Sequence, residues 1–178
     1  MSNTNSLKAD MKNSKALFKI KYSKIHGKGV FARENIKKGI KIIQYIGEKI
    51  SKKEGDNRSE KRLKRYLNSN KMGSVYIFEL NNRYDIDGSP IYNKARYINH
   101  SCRPNCEVKI LNGHIWIYSL KNIKKDDELS YDYGYEFDKD DYVDHICLCG
   151  SKNCIGYIIS SDDRQKFRRH IRKKNEKK

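Results

Sequence analysis

The chain lacks any apolar run that approaches the ~18 residues needed to span a membrane. Its first ten residues are polar, so we expect no conventional secretory signal. Proline occurs only twice in 178 residues and no repeat period is visible, which argues against a linker, a collagen or a solenoid. Hydrophobic residues make up only 37%, but 13 Tyr and five Phe can still build a core. The sequence therefore predicts one folded domain with short tails.

Acidic residues are also scarce, since 39 Lys plus Arg face 22 Asp plus Glu and the formal net charge is +17. Such a charge attracts polyanions, so nucleic acid, chromatin and an anionic membrane face are candidate partners. Basic residues concentrate at 52–65 and at 164–178, where nine of them face one acid. The alternative for each run is a solvated face or a frayed tail, and the internal run at 52–65 favours this alternative more than the C-terminal run does. One acidic block, residues 136–144, interrupts this pattern.

Short apolar runs and turn signals alternate along the chain, which is typical of a β-rich domain. Strands are predicted within 16–47, at 75–80 and around 129–133. A hairpin is predicted between 107–111 and 114–120, because Asn112 and Gly113 form a strong two-residue turn. Residues 54–68 contain few β-branched side chains and predict a short exposed helix. The expected fold class is mainly β, or β-rich α+β.

The five cysteines indicate a metal site, because an odd number without a secretion signal argues against disulfides. Cys147, Cys149 and Cys154 place three thiols within eight residues. Zinc requires four tetrahedral ligands, and a site closed by four protein ligands is structural. The fourth ligand remains open at this point, the candidates being Cys102, Cys106, His100 and His145. The alternative explanation is a set of buried reduced thiols.

Four separated motifs together resemble those of the SET-domain protein lysine methyltransferases, in the same order. They are His-Gly-Lys-Gly at 26–29, Arg-Tyr-Ile-Asn-His-Ser-Cys at 96–102, Glu-Leu-Ser-Tyr-Asp-Tyr at 128–133, and the post-SET pattern Cys-x-Cys-x4-Cys at 147–154. The likeness covers about residues 16–160. The first 15 residues contain no cysteine, so we expect a SET plus post-SET unit without a Cys-rich pre-SET region.

The resemblance implies a fold of small curved sheets, β-clip-like, with a C-terminal pseudoknot and a zinc-bound post-SET loop. It divides the chain into a flexible segment (1–15), a SET domain (16–140) with a variable insert (51–74), a post-SET zinc loop (141–160) and a basic tail (161–178). It also implies that Cys102 joins Cys147, Cys149 and Cys154 as the fourth zinc ligand. Cys106 is then spare, as a small buried residue.

The implied activity is methyl transfer from S-adenosylmethionine to a lysine amine. Presenting lysine as a neutral amine at pH 7 costs roughly 4–5 kcal/mol, and a narrow apolar channel helps by disfavouring the ammonium. By resemblance Tyr133 is the catalytic tyrosine, and Tyr131 limits the product to mono- or dimethyllysine. Tyr76 and Tyr135 are expected in the channel wall, with Phe137 as a further candidate.

The cofactor-binding residues implied by the same resemblance come from four segments. They are His26, Gly27, Lys28, Gly29, Tyr76, Asn99, His100, Leu148 and Ile158. Lys28 stands where many relatives carry Trp or Arg, so only its backbone contact is expected. Asp87 and Asn93 also match family positions, and we interpret them as structural.

The implied substrate is a histone or histone-like protein, with the acidic block 136–144 lining the peptide entrance and the basic tail contacting DNA or a nucleosome. No membrane partner is expected. The expected location is the nucleus or chromatin, a host nucleus if the Lys-, Asn- and Ile-rich composition reflects a bacterial or viral source, and otherwise the cytoplasm. Two alternatives remain: a catalytically silent, zinc-stabilised module that binds nucleic acid or chromatin, and a methyltransferase of a non-histone basic protein.

Overall fold

The structure is a computed structural model that describes residues 16–67 and 76–176. Predictions for residues 1–15, for the end of the insert at 68–74, for Val75 and for the last two residues lie outside the described residues.

Within the described residues, ten short strands form four small sheets, as the mainly β prediction requires. The strands are β1 (Phe18–Tyr22), β2 (Lys28–Ala32), β3 (Lys41–Tyr45), β4 (Glu48–Ser51), β5 (Ile77–Glu79), β6 (Tyr84–Asp87), β7 (Asn99–His100), β8 (Cys106–Leu111), β9 (His114–Ser119) and β10 (Ser130–Tyr131). β1 pairs with β2 and β7 with β10. β9 lies between β3 and β8, and β6 lies between β4 and β5.

The predicted hairpin is confirmed as β8 and β9, which pair in antiparallel register from Cys106 opposite Ser119 to Leu111 opposite His114. Asn112 and Gly113 have φ angles of 50° and 74°, the backbone that a tight two-residue turn of this type needs. Side chains of β9 alternate, so that Ile115 and Ile117 enter the main core. The turn and the alternation together set the register of this sheet.

The parallel pair β7–β10 joins two distant motifs, with Asn99 opposite Ser130 and His100 opposite Tyr131. Asn105 reinforces the pairing, because its side chain donates to the carbonyl of Glu128 (2.8 Å) and accepts from the amide of Ser130 (2.9 Å). The segments that the expected pseudoknot would join therefore lie side by side.

Helix α1 (Lys52–Leu67) carries the basic internal stretch and is held by an acidic strand edge. Lys52 pairs with Asp85 at 2.7 Å, and Arg58 and Arg62 each approach Asp87 at 2.8 Å. Burial alone would raise the pKa of Asp87, but hydrogen bonds from Arg62 and Arg58 outweigh it and hold that pKa well below its usual range. Asp87 is thus a structural carboxylate, as interpreted from the sequence.

Asn93 is fully buried and also structural. Its side chain donates to the carbonyl of Gly88 at 2.9 Å and accepts from the amide of Ile46 at 3.4 Å. A short 3₁₀ helix, Lys94–Tyr97, begins directly after it and leads into β7.

Residues 161–178 were expected as a basic tail, but the structure shows an ordered helix there, α2 (Arg164–Asn175). Its Phe167 enters a second core with Phe137, Tyr142 and Ile159. Tyr142 belongs to a second 3₁₀ helix, Tyr142–Asp144. The basic run therefore covers an aromatic cluster, and most of its charged side chains are exposed, whereas Arg164 is partly buried. Neither helix combines the length and apolarity that crossing a membrane would need.

We expect acid to weaken the packing of α1. Because the pKa of Asp87 is lowered in the folded state, its stabilising effect is present above the unfolded value of about 4 and is lost as the pH falls below it. Asp87→Asn should lower the melting temperature at pH 7 and flatten its decline between pH 5 and 3. Melting curves by circular dichroism test this, with the exposed Asp140→Asn as the control. Parallel pH profiles for Asp87→Asn and the unaltered protein would contradict it.

Candidate active site and metal centre

A cavity of about 630 Å³ opens where the β1–β2 turn, β5, β7 and the cysteine loop meet. Its volume lies within the range of about 300–1,000 Å³ that is usual for ligand pockets. Predicted site residues that line it are His26, Gly27, Lys28, Tyr76, Asn99, His100, Tyr131, Tyr133, Leu148 and Ile158. Residues from five sequence segments thus share one concave surface.

The β1–β2 turn is shaped by Gly27, whose φ of 48° is a left-handed backbone that glycine adopts without strain. Gly29, although predicted to bind the cofactor, is not among the residues that line the cavity, and an added methyl group there would collide with the side chains of Glu128 and Ser23. Glycine at this position therefore allows Glu128 and Ser23 to pack closely against the backbone. Lys28 directs its ammonium toward the ring of Tyr97, 5.5 Å from the ring centre.

Asn99 ties the turn to the rest of the site. Its amide donates to the Glu128 carboxylate at 2.8 Å and to the carbonyls of His26 and Lys28 at 3.3 Å each. Glu128 also accepts from the hydroxyl of Ser23 at 2.7 Å. Sequence reasoning did not single out Ser23 or give Glu128 a role, although Glu128 opens a quoted motif. Their contacts span 105 residues of chain, beyond the reach of any local pattern.

An aromatic cluster forms the other part of the cavity wall. The rings of Tyr131 and Tyr133 lie 5.0 Å apart, and Tyr135 follows at 6.0 Å from Tyr133. The hydroxyl of Tyr133 donates to the carbonyl of Ile98 at 3.0 Å. This bond fixes the tyrosine hydroxyl beside β7.

Tyr45 and Phe78 complete this cluster and were missed in the sequence. Phe78 lies 6.1 Å from the ring of Tyr131 and 5.1 Å from that of Tyr45. The available signal was the two-residue period of a strand, which puts Phe78 on the same face as Tyr76. Phe137, by contrast, was wrongly considered for the channel. It packs in the second core, 5.6 Å from each of Tyr142 and Phe167.

Tyr131, Tyr133 and Tyr135 line the cavity as neutral hydroxyl groups. Burial raises the pKa of Tyr133 and of Tyr131 well above the ordinary value. Burial likewise raises the pKa of Tyr135. These hydroxyls therefore act as hydrogen-bonding groups at neutral pH, in surroundings that penalise any buried charge.

Arg96 is a further residue of the cavity wall. Its guanidinium lies 4.0 Å from the ring centre of Tyr76, and it donates to the carbonyl of Ser89. The hydroxyl of Tyr45 donates to the main-chain carbonyl of Tyr76 at 2.9 Å. Tyr76 is thus held from two sides.

Four sulfur atoms form the metal-binding candidate among the described residues, those of Cys102, Cys147, Cys149 and Cys154. They all lie within 4.8 Å of one another, and Cys102 is 3.8 Å from Cys147 and 3.9 Å from Cys154. Tetrahedral zinc with bonds of about 2.3 Å to sulfur requires sulfur–sulfur separations of about 3.8 Å. The donor set and its spacing therefore fit Zn²⁺.

The other candidates for the fourth ligand lie elsewhere or are engaged. Cys106 is 1% exposed in the main core, and burial raises its pKa to about 12. His145 packs against Tyr135 and faces Asp141 at 3.8 Å. His100 accepts from the amide of Tyr133 at 3.2 Å, and burial lowers its pKa to about 4, so the ring is neutral. Cys102 alone of these candidates joins the three clustered thiols.

The cysteine loop also forms part of the cavity wall. The amide of Cys147 donates to the carbonyl of Gly156 at 2.9 Å, and that of Ile158 to the carbonyl of His145 at 2.7 Å. These bonds close residues 145–158 into a loop that presents Leu148 and Ile158 to the cavity. A metal held by the cysteines would therefore set the position of this wall.

The acidic block 136–144 is divided in the structure. Of its acidic residues, all within the described part of the chain, Asp144 alone lines the cavity. Asp138 and Asp140 line a separate surface depression beside α2. Glu79, at the end of β5, is the second carboxylate of the cavity wall.

Residues 27–134 match the SET domain family. The chain belongs to the SET-domain family. This SET protein is 40% identical over 154 residues to the "Histone-lysine N-methyltransferase, H3 lysine-4 specific" of Aspergillus oryzae. The aligned region covers 83% of the chain and 12% of the relative. The protein of the same name from Saccharomyces cerevisiae is 41% identical over 140 residues, covering 76% of the chain and 12% of the relative.

Histone-lysine N-methyltransferase set-2 of Caenorhabditis elegans is 40% identical over 152 residues, which is 83% of the chain and 10% of that relative. The SET protein thus spans only about a tenth of the length of these curated relatives.

We expect the purified SET protein to contain one zinc per chain. Cys102→Ser should release the metal and loosen the loop at 145–158, since it removes one of four thiolates. Cys106→Ala is the matched control, because Cys106 lies in the core away from the cluster. Inductively coupled plasma mass spectrometry measures the metal. Equal zinc content in the two variants would exclude Cys102 as a ligand.

Proposed function

We propose that this protein is an S-adenosylmethionine-dependent protein-lysine N-methyltransferase acting on histone H3 or a similar basic protein. One observation carries the proposal: a single cavity joins the glycine turn and the Asn99–His100 strand to a wall of tyrosines, of which Tyr45 and Tyr131 are buried and Tyr133 is partly buried. The glycine turn and the strand suit a polar cofactor. The tyrosine wall suits a lysine amine that must lose its proton to become neutral. Relatives that share about 40% of the sequence are named for H3 lysine-4 methylation.

The residues present fit the proposed cofactor. Backbone carbonyls of the 26–28 turn, the Asn99–His100 strand, the Tyr76 ring and the apolar side chains of Leu148 and Ile158 would hold it. When bound, S-adenosylmethionine supplies an electrophilic methyl group on a positively charged sulfur. The carbonyl oxygens and aromatic faces that line this cavity favour such a positive centre.

The buried tyrosines act on the incoming lysine. A lysine ammonium loses its hydration among Tyr45, Phe78, Tyr131 and Tyr133, and this desolvation favours release of its proton. Tyr133, fixed by its bond to the Ile98 carbonyl, places a neutral hydroxyl where it orients the amine. The tyrosine at 131 fills space with its own hydroxyl, so we propose mono- or dimethyllysine as the product.

The cavity wall carries two carboxylates, although Lys28, Arg62 and Arg96 also line it and Lys52 pairs with one of them, Glu79, at 2.8 Å. Asp144 and Glu79 lie in the cavity wall and complement a lysine-rich peptide. We place the peptide entrance at this pair, together with the end of α1 that contributes Leu63. The remaining acidic residues of 136–144 face α2 or solvent.

The outer face of α2 presents basic side chains for DNA. Lys166, Arg168, Arg169, Arg172 and Lys173 are exposed, while Phe167 points inward. We propose that this face contacts nucleosomal phosphates. The proposed location is therefore chromatin in a nucleus. If the protein comes from a bacterium or a virus, that nucleus would be the nucleus of its host. The proposed units are a SET domain (16–140), a post-SET zinc loop (141–160) and a helical extension from 161.

The decisive variant is Tyr133→Phe. We expect it to retain the fold, the zinc and cofactor binding but to lose methyl transfer to an H3 tail peptide by at least about 100-fold, since one positioned hydroxyl is gone. Transfer of a labelled methyl group is the measurement. Tyr118→Phe is the matched control, because Tyr118 lies on β9 and is not among the residues that line the cavity.

Cofactor binding without transfer to H3, to mixed histones or to other basic proteins would refute the enzymatic proposal. It would leave the chain as a chromatin-binding module.

The peptide entrance is tested by charge removal. Asp144→Asn should raise the KM for the H3 peptide about two- to fivefold with an unchanged affinity for the cofactor, because an exposed ion pair contributes only modestly. Steady-state kinetics at low salt give the values, and Asp140→Asn serves as control because it lies beside α2. An Asp144→Asn enzyme with the KM of the control would place the entrance elsewhere.

A further inference from the structure

One side chain, that of Arg164, connects helix α2 both to the cluster of four cysteine sulfurs and to the segment 131–133, which carries Tyr131 and Tyr133. The guanidinium of Arg164 donates from Nη1 to the carbonyl of Cys102 at 2.9 Å, and its Nη2 lies 3.5 Å from Oδ2 of Asp132. Cys102 belongs to the sulfur cluster, and Asp132 stands between Tyr131 and Tyr133. One residue of the C-terminal extension thus contacts both parts of the site.

The residues just before α2 form hydrogen bonds with the segment that contains Asp132. The amide of Ser161 donates to Asp132 at 2.8 Å, and that of Ser160 to the carbonyl of Tyr135 at 2.7 Å. In return, the amide of Phe137 donates to the carboxylate of Asp163 at 2.7 Å. Residues 160–164 therefore run along residues 132–137, which include two of the cavity tyrosines, Tyr133 and Tyr135.

The aromatic core beneath α2 fixes where Arg164 can point. Residues 164, 167 and 171 follow the spacing of one helical face. Phe167 is 6% exposed and lies 5.4 Å from the ring of Tyr142 and 5.6 Å from that of Tyr157. Since Phe167 anchors the helix one turn after Arg164, the guanidinium is held in place before any ligand binds.

The side chain of Arg164 is only 18% exposed, and that of Asp132 only 19%. Water therefore screens their interaction less than it would at the surface. Removing the guanidinium leaves the carbonyl of Cys102 and the carboxylate of Asp132 without a charged donor in a partly buried setting.

We propose that α2 is a built-in brace for the active site and that Arg164 is its positioning residue. By holding Cys102 and Asp132 together, Arg164 sets the geometry of the metal cluster and of the tyrosine segment at the same time. This inference rests on the proposed function, because it assigns the brace to that same site. Arg164 acts through its neighbours and contacts neither cofactor nor substrate.

The test compares Arg164→Gln with Arg168→Gln, which removes an exposed charge from the same helix. We expect Arg164→Gln to release zinc to a chelator about tenfold faster and to bind S-adenosylmethionine about tenfold more weakly, the scale of one charge-assisted hydrogen bond. A chromogenic zinc indicator and isothermal titration calorimetry measure these quantities. Arg168→Gln should match the unaltered protein in both.

A conservative variant and a double-mutant cycle separate positioning from general destabilisation. Arg164→Lys keeps the charge but cannot serve both acceptors, so its zinc release and affinity should fall between those of the unaltered protein and Arg164→Gln. Combining Arg164→Gln with Asp132→Asn should add little to either single change. Full additivity, or an Arg164→Gln variant with the zinc release and affinity of Arg168→Gln, overturns the brace.

These binding measurements need no turnover. If they come out as expected while no methyl transfer is found, the brace stands and the proposed activity fails. If transfer is robust and Arg164→Gln leaves it and both binding measurements intact, the activity stands and the brace fails.

Discussion

The two-residue parallel pair between β7 and β10 is the constraint on which the rest of the site depends. It sets Asn99 beside Ser130 and His100 beside Tyr131, although about 30 residues of chain separate each pair. The amide of Ser101 continues the ladder by donating to the carbonyl of Tyr131 at 3.1 Å. The positions of the proposed cofactor-binding residues, of the cavity tyrosines and of Cys102 in the sulfur cluster all depend on this one strand pair.

Such a short ladder cannot hold itself, and the structure supports it from three directions. The side chain of Asn105 bonds to the carbonyl of Glu128 and to the amide of Ser130. The carboxylate of Glu128 connects β10 to the glycine turn through Asn99. The guanidinium of Arg164 links Cys102 to Asp132. Each support is a side chain with fixed geometry and a partly or wholly buried partner. The site is therefore organised before a ligand enters, which reduces the ordering that binding requires.

Several acidic side chains of this protein, whose net charge is +17, are used inside the fold. Asp85, Asp87, Glu128, Asp132 and Asp163 are used internally, against arginine, lysine, serine or main-chain amides. The exposed helices consequently present mostly positive side chains, which suits contact with a polyanion. Inside the cavity the hydroxyls of the tyrosines stay neutral because burial raises their pKa.

The sequence by itself determined the local features: the Asn112–Gly113 hairpin, the β-rich class, the helix near 52–67 and the motifs that carry the site. These depend on residues within a few positions of one another, where turn chemistry and periodicity act. The cysteine spacing left the fourth ligand open and only the family resemblance implied Cys102, whose sulfur the structure places with the three clustered thiols. Tertiary structure alone decided that Phe137 packs in a second core and that Gly29 makes room for Glu128.

It also decided that the basic run after residue 163 is a docked helix. The contacts involved span from about 30 to 105 residues of chain, as for Phe137 with Phe167 and Ser23 with Glu128. Residues so far apart influence one another only once the chain has closed on itself, so no local pattern records their pairing.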